Sequence, residues 1–177
     1  IILAQEELKL QTLENEKTRL GIQQSALQSQ EATFANQDKL LKVAISINEK
    51  EKEILQTNKD LLVLKIKLRE AELAAAEAAA AALEAGSKGR EDAERALAAQ
   101  RAELEILRKQ VDGLGVSLEV AAGQGQNLEL ALERLNSIKF NIGDTIQLAM
   151  QDAFQAVVLG TRRMEDAVEG FKFAVIG

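Results

Sequence analysis

A chain of 177 residues with a net charge of −6 is long enough for one globular domain, yet it holds no Pro, Cys, His, Trp or Tyr and only five Phe. Compact domains of this size lean on buried aromatics, and a chain without imidazole or thiol lacks the usual general base, thiolate nucleophile and common zinc ligands, so the reading is non-enzymatic, with no catalytic, cofactor or metal residues. A negative balance without clustered Lys and Arg excludes direct nucleic-acid binding, and the abundance of Ala, Leu, Glu, Gln, Lys and Arg makes the fold class all-α.

From Ile1 to Ala85 only Gly21 weakens a helix. The spacing predicts one long coiled-coil helix over residues 1–85, roughly 130 Å at 1.5 Å per residue. Leu13, Leu20, Leu27, Phe34, Leu41, Asn48, Leu55 and Leu62 fall seven residues apart without slippage. Such a repeat is an oligomerisation seam with a left-handed supercoil. The companion position is broken by polar residues, among them Lys17, Gln24, Glu31, Asp38, Lys52 and Lys59. Polar layers weaken association but limit register slips, and Asn48 on the main seam suits that role if it meets an Asn of another strand. The alternative is a solvated Asn in a loosely packed stretch. The Ala-rich run at residues 71–82 sustains helix by propensity and permits close approach of a neighbour.

Gly86 and Gly89 bracket a hinge at residues 86–89, without the spacing of a phosphate loop. Whether the next helix continues or folds back on the first is left open. A second helical segment occupies 90–122, with a second seam of Leu97, Leu104, Leu107, Val111 and Leu118. Gly123 and Gly125 mark a linker at 123–127, and Asn127 is a candidate N-cap for a third helix. The C-terminal amphipathic region, 128–177, presents a packing face of Ile142, Ile146, Ala149, Ala153, Gly160, Ala167 and Phe171. The whole reads as an elongated coiled coil of long helices with Gly hinges, followed by small-residue-rich C-terminal helices. It contains no uninterrupted apolar run of about 18 residues, and the missing initiating Met and apolar ending suggest a fragment. Paired carboxylates such as Glu6 with Glu7 recur around helix faces as solvated charges do, and Arg162-Arg163 reads as a solvated pair on a helix.

Residues 142–171 include Gly160-Thr161, then Asp166-Ala167-Val168 and Phe171. This segment resembles the C-terminal part of tailed-phage tape measure proteins, in which an Ala- and Phe-rich amphipathic helix precedes a similar pattern. The resemblance covers about 30 residues by motif and the remainder by periodicity alone. It implies a structural virion protein that sets tail length, fills the tail tube lumen and plugs the tail tip until it is ejected at infection. It also implies assembly in the host cytoplasm, self-association as a homotrimer or hexamer, tail tube, distal tail and baseplate-hub proteins as partners, and contact with the host membrane on ejection. A membrane-active pore-forming helical protein and a generic coiled-coil scaffold are the alternatives.

Overall fold

The computed structural model describes residues 1–30 and 33–141, with backbone alone at 138–141. The C-terminal packing face, from Ile142 to Phe171, lies outside the described residues. Three long helices pack against each other without strands among the described residues: α1 (Ile2–Gln28), α2 (Phe34–Ala81) and α3 (Lys88–Asn141). Their 27, 48 and 54 residues correspond to lengths of about 40, 72 and 81 Å.

The expected continuous helix over 1–85 is instead a hairpin. It breaks at residues 29–33 without Gly or Pro, through side chains that compete for backbone groups. Ser29 Oγ donates to the Ala26 carbonyl at 2.7 Å, and the Gln30 N–H reaches back to Leu27 O at 3.2 Å, which tightens the last turn of α1. Thr33 is extended (φ −85°, ψ 159°) and its hydroxyl accepts from the Asn36 N–H at 3.2 Å. Thr33 is therefore the N-cap that restarts the helix. The physical reason for folding back is burial. A straight single chain would leave Leu13 and the α2 stripe of Leu40, Ile47, Ile54 and Leu61 in water, whereas the hairpin buries all five. Each such side chain contributes about 1.5–3 kcal/mol on burial.

The second turn falls where glycine was expected to place it. Gly86 takes φ +77°, a left-handed conformation that a side chain would oppose. Ser87 then caps α3: its hydroxyl and carbonyl accept from the Arg90 N–H at 3.3 and 3.0 Å, and Glu91 lies in the first turn. Gly89 is not part of a hinge, since it sits inside α3. Nor is there a linker at 123–127. Gly123, Gly125 and Asn127 are all helical, so the second segment starts at Lys88 and runs unbroken to Asn141. Five glycines in that helix each cost about 1 kcal/mol relative to Ala, and its packing on α2 outweighs them.

Both turns reverse the chain. Glu77 with Arg101 and Glu70 with Arg108 pair in opposite chain directions, and Lys17 with Glu51 and Glu16 with Lys50 join α1 to α2 across the first turn. The middle helix carries the packing: α1 and α3 each lie along α2 and make no close backbone approach to one another among the described residues. Buried positions of α2 concentrate between Gln37 and Leu62, after which only Ala80 is buried. The N-terminal part of α2 is thus flanked on two sides. Its C-terminal part forms a two-helix stem with the start of α3, cored by Ala80, Leu97 and Leu104.

Candidate functional site

With no catalytic constellation expected, the candidate site is the set of seams along which the helices associate. The seam expected from Leu13 to Leu62 is divided between two interfaces. Phe34, Leu41, Leu55 and Leu62 pack on α3, in two clusters with Leu128 and Leu135 and with Leu114 and Ala121. Leu13 is buried, and Leu20 and Leu27 are half-buried, on α1, whose neighbour is α2. They meet a different stripe of α2: Leu40, Val43, Ile47, Ile54 and Leu61 are buried, and Lys50, on the same stripe, reaches Glu16 of α1. That stripe is not among the seams expected from the sequence. Its signal was present, since Leu40, Ile47, Ile54 and Leu61 also fall seven apart.

The second expected seam stays together. Leu97 and Leu104 are buried, and Leu107, Val111 and Leu118 pack on the Leu55–Leu62 cluster. All the seam residues within the described chain therefore face inward, toward another helix of the same chain.

Polar groups sit inside these interfaces, and Asn48 and Glu51 each face a specific partner on a neighbouring helix. Asn48 is 1% exposed, and its Nδ2 donates to the Ala121 carbonyl across the α2–α3 interface at 3.0 Å. It neither pairs with an Asn nor lies in solvent. Room for it comes from Gly125: a Cβ built there would stand 2.5 Å from Asn48 Oδ1 and 3.6 Å from Lys52 Nζ. A glycine expected to break the helix is a recess in it. On the other side of α2, the fully buried carboxylate of Glu51 faces Lys17 Nζ at 3.0 Å. Beside it, Lys50 Nζ pairs with Glu16 at 2.9 Å and with Glu53 at 3.5 Å. The hydrogen bond that Lys50 donates to Glu16 and the neighbouring carboxylates hold its ammonium above its ordinary value of 10.5, against a smaller opposing effect of desolvation.

No family model, curated protein or solved structure matches this chain. Its chemistry must be read from the seams themselves. They supply helix–helix recognition: heptad packing with two polar layers, one a carbonyl-bound amide and the other a pair of crossed ion pairs. Two further cross-helix pairs, Arg101 with Glu77 at 2.6 Å and Arg108 with Glu70 at 2.9 Å, lie exposed along the stem. Exposed pairs of that kind contribute well under about 1 kcal/mol each. Among the described residues no helix is long and apolar enough to cross a membrane.

Proposed function

We propose that this chain is a structural, non-enzymatic segment of a tail tape measure protein, acting by helix association along the tail lumen and at the tail tip. The observation that carries the reading is the seven-residue register. It runs from Leu13 through Leu27 on α1 to Phe34 and Leu62 on α2 without a phase change across the turn at 29–33. A sequence selected only to form a hairpin has no physical need to keep one phase across its turn, because the two helices bury different stripes. A sequence that also works as a straight helix does. The turn supports this: it contains neither Gly nor Pro, and its cap depends on two hydroxyl side chains. The resemblance of residues 142–171 to the tape measure family adds the biological setting: a virion protein, in the tail tube and at its tip, with tube, distal-tail and baseplate-hub partners and copies of itself.

The test is tail length. Removing four whole heptads between Leu13 and Leu62 keeps the register and is expected to shorten the tail by about 42 Å, or about 1.5 Å per residue removed. Tails of unchanged length in electron micrographs overturn the ruler. A generic coiled-coil scaffold is the second reading, favoured by the fact that the described helices already bury their seams within one chain.

A further inference from the structure

The two flanks of α2 are covered by unequal partners. On one, Leu41, Ala44, Leu55 and Leu62 meet buried side chains of α3 in two apolar clusters. On the other, Leu40, Val43, Ile47, Ile54 and Leu61 are all buried, yet the helix over them, α1, buries only Leu13. The inward positions of α1 interleave half-buried leucines with Glu6, Lys17 and Gln24, likewise half-buried. An apolar stripe thus lies beneath a mixed one. The polar layers gain little from closure. Glu6 Oε2 is out of water without a hydrogen-bond donor, 3.9 Å from Lys9 Nζ. The wholly buried Glu51 carboxylate faces Lys17 at 3.0 Å, and desolvation offsets much of what such a pair gains. That hydration returns when α1 leaves α2. Since α1 makes no close backbone approach to α3 among the described residues, its departure keeps the α2–α3 interface whole.

We propose that α1 is a releasable strap. It leaves α2 as a unit while α2 and α3 stay packed, and it uncovers the stripe from Leu40 to Leu61. Elements with few buried apolar contacts are the ones that open below the global unfolding free energy. By that measure α1, with one buried residue, opens before α3, which buries Leu97, Leu104, Leu114, Ala121, Leu128 and Leu135. The strap names the joint at which the hairpin gives way: the α1–α2 interface, with α2–α3 as the part that persists. Its role, though not its test, rests on the tape measure reading, in which release is the step that lets residues 13–62 act as one straight helix.

Ile54 and Leu55 provide the test. They are neighbours, each 1% exposed, the first on the stripe under α1 and the second in a cluster with α3. The chain has no native Cys, so thiol labelling of Ile54→Cys and of Leu55→Cys reports the two covers separately, at reagent concentrations low enough for opening to equilibrate. Leu128→Ala is then added to each, since Leu128 is wholly buried on the α3 side. The strapped and released states both contain its packing, so labelling of Ile54→Cys is expected to keep its rate. Leu55→Cys is expected to label about thirtyfold faster or more, the effect of a buried Leu→Ala on global opening. Acceleration of Ile54→Cys by as much as Leu55→Cys means a single cooperative opening and overturns the proposal. Hydrogen exchange of the parent chain gives a second readout that needs no core variant. Amides of α1 from Leu10 to Leu27 are expected to share one protection factor, about tenfold or more below that of α3 between Leu114 and Leu128. Equal protection in the two helices overturns the strap, as does protection that changes residue by residue along α1, which is fraying. Neither measurement involves tails, so the strap and the ruler fail separately.

Discussion

Gly123 and Gly125 are two residues apart in one helix, and the structure gives alanine opposite signs at them. Replacing an interior helical Gly with Ala gains up to about 1 kcal/mol through the conformational entropy of the unfolded chain. At Gly123 nothing lies within 4 Å of the new Cβ, so that gain is expected in full. At Gly125 the Cβ would stand 2.5 Å from Asn48 Oδ1, a distance that forces a displacement. An amide at the end of a side chain normally yields cheaply. This one is 1% exposed and tied by its Nδ2 to the Ala121 carbonyl. Moving it breaks that bond and strands a buried amide, at a cost of about 1–3 kcal/mol. Net of the propensity gain, Gly125→Ala is expected to destabilise by up to about 2 kcal/mol, which places the two variants about 1–3 kcal/mol apart. Urea unfolding followed by far-ultraviolet circular dichroism measures both. For a chain of this length, 1 kcal/mol corresponds to about 2–4 °C in Tm, so thermal melts resolve the same difference. If Gly125→Ala stabilises as much as Gly123→Ala, the recess does not hold Asn48 and the polar layer is misassigned.

Two further outcomes concern the α1–α2 interface. Lys17→Met removes the cation facing a fully buried Glu51 carboxylate and is expected to cost about 3 kcal/mol, while the Lys17→Met/Glu51→Leu double variant recovers most of it; a double variant no more stable than the single one would show that the pair is not coupled. Lys50 gives a pH signature. Its folded value lies above 10.5, so the stabilisation from its pairing is complete below that ordinary value and is lost as pH rises through the higher, folded one. Urea midpoints across the alkaline range are expected to fall for the parent and to fall less for Lys50→Met, and parallel curves for the two would refute the assignment.

The sequence was most legible where local preference and packing agree. An all-helical fold follows from composition, and every seam position within the described chain proved to be an inward one. Periodicity reports which face of a helix is covered, however, and not what covers it. Leu27 and Phe34 belong to one repeat in the sequence and to two interfaces in the structure, because Thr33 restarts the helix at an angle the period cannot register. Its signal was a hydroxyl three residues before Asn36, with no Gly or Pro beside it, and an unbroken seven-residue repeat masked it. The reverse error occurred at Gly123 and Gly125. Local propensity argues for a break there, but a recess for a buried side chain needs glycine as much as a turn does, and only the partner helix distinguishes the two.

The polar layers explain why a repeat this regular settles on one alignment. Sliding α3 along α2 by one heptad would preserve nearly all apolar contacts, since Leu meets Leu at each step. It would not preserve the surroundings of Asn48. The residues seven positions from Ala121 are Leu114 and Leu128, and those seven from Gly125 are Leu118 and Leu132. Either slip drives a buried amide into leucine side chains. The same holds for α1. A slip of seven sets Leu10 or Gln24, in place of Lys17, against the buried carboxylate of Glu51, and Lys9 or Gln23, in place of Glu16, against Lys50. One direction strands a charge and opposes two lysines, and the other leaves both charges facing neutral amides. An uncompensated buried charge costs several kcal/mol, more than any single leucine layer returns. Asn48 fixes the register of α3 on α2, and Glu51 with Lys17 fixes that of α1, so the hairpin has one alignment although its apolar repeat would accept several.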